Sequence, residues 1–269
     1  DAVRLATPDL ELRDHWVRTV LRELADGPFD LAPPVFAGRL HARLREMTGV
    51  DDPYVEGKRS ANELALRLLP ELRNLVAKSP DPLGAAVRLA CAGNLLDMGV
   101  KTGHAMGPET VEPLLRSALD EPAPEGMEEL RAVVQDAEFV LLLADNSGEI
   151  VLDRLLVEQL NVRRVTVAVR GGPIINDATM DDAELIGLSE VAQVISNGAR
   201  YPGTVLDECS EEFLNAFHSA DVIISKGQGN YETLNDCGRP NLFFLLRIKC
   251  PVVAAESGRS AGSPAVICP

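Results

Sequence analysis

The sequence predicts an α/β protein: a mainly parallel sheet with crossover helices, preceded by an all-helical N-terminal part. Three observations predict it. Residues 1–115 carry apolar side chains at helical spacing. From about residue 129, short apolar runs alternate with helix-period segments, the pattern of parallel strands joined by right-handed crossovers. Each of the first four runs is followed by a polar or glycine-containing stretch, and ligands in open α/β sheets bind just beyond the carboxyl ends of strands.

The helical part is read in order. "DLELRDHWVRTVLREL" has apolar residues three to four apart. So does "EGKRSANELALRLLPELRNLVAK", which starts after the turn signal Asp52-Pro53 and runs into Ser79-Pro80. Lys58 and Asn62 lie at i and i+4 on that helix and are expected at its surface. "DPLGAAVRLACAGNLLDMGV" is apolar on most sides and predicts a buried helix. Its Asn94 and Asp97 share a face, and buried polar residues need partners, so local capping and a place in an active site both account for them. The Pro-, Gly- and acid-rich stretch "LDEPAPEG", residues 119–126, is the best linker candidate. It divides the chain into a helical domain, 1–125, and an α/β domain, 126–269.

In the second part, "FVLLLA" is followed by "GEIVLDRLLVEQL", "RRVTVAVR" by a loop and "MDDAELIGL", "AQVIS" by a loop and "SEEFLNAFHSA", and "DVIIS" by a glycine-rich loop. "NLFFLLRIKCPVVAAESG" reads as one more helix or strand and then a final strand. Parallel strands end together, so four loops share one edge of the sheet. They are Asp145-Asn146-Ser147-Gly148-Glu149, Gly171 to Asp177, Asn197 to Gly203, and Lys226-Gly227-Gln228-Gly229-Asn230.

Two carboxylates and a carboxamide suit a hard divalent cation such as Mg2+ or Mn2+, which takes oxygen ligands and keeps several waters. Asp145, Asn146 and Asp177 supply such a set. The plainer alternatives are an Asx turn or helix cap for the first two and a cap before "MDDAEL" for Asp177. Lys226 is one of five lysines and heads a loop with two glycines. Glycine lets backbone N–H groups turn toward an anion and the lysine adds a point charge, against the ordinary alternative of a solvated surface lysine. "GQGNYE" has Glu232 where a dinucleotide fingerprint needs glycine, and it does not open a first βαβ unit.

Composition narrows the class further. The net charge of −15 argues against a nucleic-acid or anionic-membrane surface, which needs clustered Lys and Arg. The five cysteines form no CxxC pair and the four histidines no HExxH or HxH pair, so neither a zinc site nor a disulfide framework is expected, and a reducing cytoplasm is. No apolar run approaches the ~20 residues of a membrane span, and no signal peptide is read.

Taken together, "DPYVEGKRSANELAL", "AGNLLDMG", "LLLADNSGEIVLDRLL", "GGPIINDATMDDA", "ISNGARYPGT" and "DVIISKGQGNYETL" resemble the DUF89 family, the damage-control or ARMT1-like phosphatases, in its short bacterial and archaeal branch. The pieces follow family order over most of the chain. The Cys pair that the branch carries near its N-terminus has no counterpart here. The resemblance implies an all-helical N-terminal domain on a Rossmann-like three-layer α/β/α domain with a mainly parallel sheet, and phosphatase activity on small phosphorylated metabolites, including sugar phosphates. It also implies a divalent metal on Asp145, Asn146 and Asp177, and a phosphate-binding Lys226.

On that reading Asp145, Asn146, Asp177 and Lys226 form the catalytic group, and the cofactor is Mn2+, Mg2+, Co2+ or Ni2+. The Gly227, Gln228, Gly229 and Asn230 backbone helps to hold the phosphate. Glu149 positions a water or caps its own helix, and Asn94, Asp97, Asn176 and Arg200 line the substrate pocket at the domain boundary. Two rival functions are a non-catalytic, metal-dependent sensor of a sugar phosphate or nucleotide, and a carboxyl methyltransferase using S-adenosylmethionine. The second has no need of three hard oxygen ligands.

Overall fold

Runs such as "FVLLL" have no polar face to show to water, so they are stable only where both sides of the strand are covered. The computed structural model describes residues 2–28, 30–93, 96 and 107–268, and it gives these runs that setting. The strands are β1 (Phe139–Leu143), β2 (Arg164–Val169), β3 (Gln193–Ser196), β4 (Val222–Lys226), β5 (Leu242–Arg247) and β6 (Pro264–Ile267). They form one sheet in the order β3-β2-β1-β4-β5-β6. β1 to β5 are parallel and β6 returns antiparallel to β5.

Side chains alternate along each strand, which sorts the core into two sets. Val140, Leu142, Val167, Val169, Val222 and Ile224 face one helical layer. It is built from α4 (Val55–Lys78), α5 (Pro82–Ala92), α6 (Pro108–Asp120), α7 (Met127–Asp136), α8 (Glu149–Val157) and α9 (Met180–Leu185). Phe139, Leu141, Leu143, Ala168, Ile223 and Phe244 face the other, made of α10 (Glu211–Ser219), α11 (Gln228–Leu234) and α12 (Pro251–Ser257). This is the three-layer α/β/α arrangement. α1 (Ala2–Ala6), α2 (Leu10–Asp26) and α3 (Pro33–Thr48) stand outside it around a small cluster of Val3, Trp16 and Leu44.

The division proposed at residues 125 and 126 falls in the loop between α6 and α7. Helices from before it and strands from after it share one continuous core, in which Leu68, Ala86 and Leu115 join Val140 and Leu142. An apolar sheet face must be covered: α5 packs on β5 and β6, and α4 and α6 pack in turn on α5, with α4 also against α8.

Three expectations are corrected. "CPVVAAESG" is not a strand but holds α12, because Pro251 presets the first helical φ and Gly258, at φ 67°, ends the helix in the left-handed region. The glycine-rich stretch after β4 is not an extended loop, since α11 begins at Gln228. Lys58 and Asn62 are not at the surface: they are 4% and 0% exposed, because the face of α4 that carries them packs on the sheet domain. Asn94 and Asp97 lie outside the described residues.

His41 on α3 stacks near Tyr54, with ring centroids 6.3 Å apart. Burial, reinforced by the charge of Arg45, pulls its imidazole down from 6.5 to about 4. A base with a depressed folded pKa binds fewer protons folded than unfolded, so stability is full above about pH 6.5 and falls as pH drops toward about 4. The thermal midpoint should therefore fall between pH 7 and pH 5, and His41→Asn should make that fall shallower.

Candidate active site

The chain leaves β1 toward β2 and β3 on one side of the sheet and leaves β4 toward β5 on the other, so the crevice between the ends of β1 and β4 is the topological switch point. Asp145 follows β1 and Gly227 follows β4. A Cβ on Gly227 would collide with the Asp145 carboxylate, and Gly227 also has φ 79°. Glycine is therefore required there both by space and by backbone.

Two loops are locked together at the crevice. Asn146 and Asp177 form an antiparallel bridge. The Ser147 amide donates to the Asn176 carbonyl at 2.9 Å, and the Ala178 amide to the Asp145 carbonyl at 2.8 Å. This backbone pairing brings together Asp145, Asn146, Asn176 and Asp177, all of them buried. The Asn146 Nδ2 group donates to Asp145 Oδ2 at 2.7 Å and to Glu149 Oε2 at 3.1 Å. Both amide protons are thereby used, and Oδ1 is left as the acceptor end.

Arg170, the residue after β2, completes the group. Its Nε donates to Asp177 Oδ2 at 2.7 Å, its Nη1 to Asn230 Oδ1 at 3.0 Å and Thr204 Oγ1 at 3.3 Å, and its Nη2 lies 3.8 Å from Asp145 Oδ1. Two carboxylates and a carboxamide oxygen are hard donors, and Arg170 sets one positive charge against the two negative ones. That chemistry fits an oxygen-preferring divalent cation. Among the described residues no group of three or more His, Cys, Asp or Glu is disposed to hold a metal, so a site here depends on the Asn146 amide as its third donor.

Lys226 is where the sequence reading and the structure part. It is fully buried, and its Nζ donates to Glu149 Oε1 and Asp153 Oδ1, both at 2.6 Å, and to the Ala90 carbonyl at 3.0 Å. All three ammonium protons are committed, so the lysine presents no free charge to a phosphate. The cause is strand parity. Val222 and Ile224 face the α5 and α8 layer, and Lys226, the next residue in that alternation, faces it as well. Arg170 shares parity with Ala168, and Asp145 with Leu141 and Leu143, so these two meet on the other face. Burial acts to lower the Lys226 ammonium pKa, but the Asp153 and Glu149 carboxylates outweigh it and hold the pKa above its usual value. Burial has the opposite effect on Asp153, whose carboxyl it pushes up to about 7 against the pull of Lys226.

The remaining candidates divide. Glu149 is 2% exposed and links Lys226 to Asn146, so it orients the amide and does not face solvent. Asn230 is buried beneath the crevice, donating to the Lys226 carbonyl at 2.8 Å. Gln228 and Gly229 belong to the first turn of α11, and Gln228 Nε2 donates to Glu232 at 2.6 Å. Arg200 lies over Gly172 and makes a two-pronged contact with Asp51, at 2.8 and 3.1 Å, from the connection between α3 and α4.

Sequence reasoning missed Arg170, Asp153 and the group around Asp182. Asp182 accepts from Ser147 Oγ, Asn62 Nδ2, Thr179 and Lys58, whose Nζ lies 3.0 Å away. The Asn62 Oδ1 atom in turn accepts the Gly148 amide at 2.6 Å. Burial alone would raise the Asp182 carboxyl, yet Lys58 and the Thr179 amide bring it below its ordinary value. The legible signal for Arg170 was its position at a strand end, the rule that found Asp145 and Lys226.

A mainly parallel, doubly covered sheet with a buried cluster of hard oxygen donors at its switch point is the architecture of the Rossmann-like α/β class. The model of the damage-control phosphatase ARMT1-like domain matches residues 1–263. A damage-control phosphatase of Pyrococcus horikoshii is 37% identical over 258 residues, covering 94% of this chain and 88% of the relative. One of Archaeoglobus fulgidus is 36% identical over 272 residues, covering 96% and 91%. The crystal structure of a DUF89 family protein from P. horikoshii superposes with a TM-score of 0.90 at 33% identity, over 99% of this chain and 93% of that one. The chain belongs to the ARMT1-like damage-control phosphatase family, and as a member it is a phosphatase.

Replacing Lys226 by Met should strand Glu149 and Asp153 without a counter-ion and lower stability by about 3–5 kcal/mol in urea unfolding. A lysine that merely touched phosphate would leave that midpoint unchanged. Asn62→Ala removes the acceptor of the buried Gly148 amide and should lower stability by about 1–3 kcal/mol in the same measurement.

Proposed function

We propose that the chain hydrolyses phosphomonoesters of small metabolites, sugar phosphates among them, with a divalent cation held by Asp145, Asn146 and Asp177. The observation that carries this reading is the convergence of those three hard-oxygen side chains, buried, at the switch point of a sheet whose family is one of phosphatases. The cation is Mn2+, Mg2+, Co2+ or Ni2+, the hard or intermediate ions that suit two carboxylates and an amide. When bound, it polarises a phosphoryl oxygen and makes a water more acidic.

The protein's own side chains do the rest. Asp145 and Glu149 hold the Asn146 amide in one orientation, so that its Oδ1 is presented as a ligand. Arg170 fixes Asp177 through Nε. Lys226 acts at one remove, through Glu149, as a positioning residue. Water attacks phosphorus in line, the ester P–O bond breaks, and the departing oxygen takes a proton to leave as the alcohol beside inorganic phosphate. An attack by the Asp145 carboxylate would instead leave an acyl phosphate for water to cleave. Glu149, enclosed with Lys226, is placed to orient Asn146 rather than to meet that water.

The free cysteines and the acidic charge support a cytoplasmic enzyme with a small-molecule substrate and no nucleic-acid partner. Among the described residues no helix is long and apolar enough to cross a membrane.

Phosphate release from sugar phosphates and p-nitrophenyl phosphate, measured with EDTA and with each metal, tests the proposal. Release should need a divalent cation, and Asp145→Ala should lower kcat by about a thousandfold or more, the scale of losing the ion's charge stabilisation. Equal release in EDTA, or an Asp145→Ala enzyme that keeps its rate, would sink the metal-dependent reading.

A further inference from the structure

We propose that Arg170 is the cationic side chain that binds the phosphoryl oxygens of the substrate. The inference rests on the metal-dependent phosphatase reading above and assigns a role in it that the sequence had pointed to Lys226. Three observations carry it. The Lys226 ammonium spends its three protons on Ala90, Glu149 and Asp153, on the opposite face of the sheet from Asp145. Arg170, 2% exposed, lies within 4.0 Å of both Asp145 and Asp177. Its Nε and Nη1 are anchored by Asp177, Thr204 and Asn230, yet the buried Nη2 has no hydrogen-bond partner among the described residues and is turned toward Asp145.

A buried guanidinium nitrogen without a hydrogen bond is costly, and of the five such arginine nitrogens among the described residues Arg170 Nη2 is the one beside Asp145, 3.8 Å from its Oδ1. The charge balance gives that nitrogen a use. Asp145, Asp177 and Arg170 together carry net negative charge and repel a phosphate. Loading a divalent cation onto the two carboxylates reverses the sign, and Nη2 then supplies a fixed N–H donor beside it for an anionic oxygen. Thr204 and Asn230 hold Nη1 so that the donor needs no reorganisation when the substrate arrives.

Calorimetry on the full chain separates the two ligands: Mn2+ is titrated first, then inorganic phosphate into the Mn2+-loaded protein, and phosphate is also measured as a competitive inhibitor. Arg170→Gln should keep its Mn2+ affinity within about fivefold of the wild type, while its phosphate affinity falls about 10- to 100-fold, the loss of a charge-assisted hydrogen bond. Arg170→Lys keeps a charge without the fork and should fall between the two. It also serves as the test where the Gln variant does not fold. Phosphate bound with wild-type affinity by either folded variant overturns the proposal. So does a phosphate loss that vanishes at saturating Mn2+, because Arg170 would then act only by orienting Asp177. A wild type that binds phosphate but no Mn2+ would refute the metal reading instead, and the same comparison on metal-free protein would then judge Arg170. A wild type that binds phosphate in neither state overturns both.

Discussion

Charges taken out of water must be compensated where they lie, and the crevice between β1 and β4 is organised by that requirement. Three buried cations do it: Arg170 for Asp145 and Asp177, Lys226 for Glu149 and Asp153, and Lys58 for Asp52 and Asp182. Each serves two carboxylates. Burying an ion is expensive, and removing one partner leaves an uncompensated charge. The groups around the site therefore stand or fall together.

The helical segment from the first half of the chain is part of this arrangement. Lys58 and Asn62 of α4 reach across to Asp182 and to the Gly148 amide, in the loop that carries Asp145 and Asn146. Gly148 is at φ 77° with Ala61 against it, so the loop is seated directly on α4. The geometry of the hard-oxygen donors thus depends on packing between residues more than 80 positions apart.

The sequence by itself determined the first four parallel strands, because apolar runs with polar ends are local signals, while β5 stayed open between helix and strand and β6 lies beyond the strand expected at "CPVVAAESG". It also determined where Asp145, Asn146 and Asp177 stand, since a strand end marks the ligand edge without any knowledge of neighbours. Tertiary structure decided the directions. Whether Lys226 faced Asp145 or Asp153 turned on which sheet face α8 covers, and alternation alone does not say which face that is. The burial of Lys58 and Asn62 was hidden for a similar reason: a polar pair at i and i+4 looks the same whether it meets solvent or a distant aspartate. Arg170 gained its meaning only when strand pairing set it between two carboxylates that lie 25 residues before it and seven after it in the chain. Local periodicity fixes which elements form, and long-range pairing of buried charges fixes what their polar residues do.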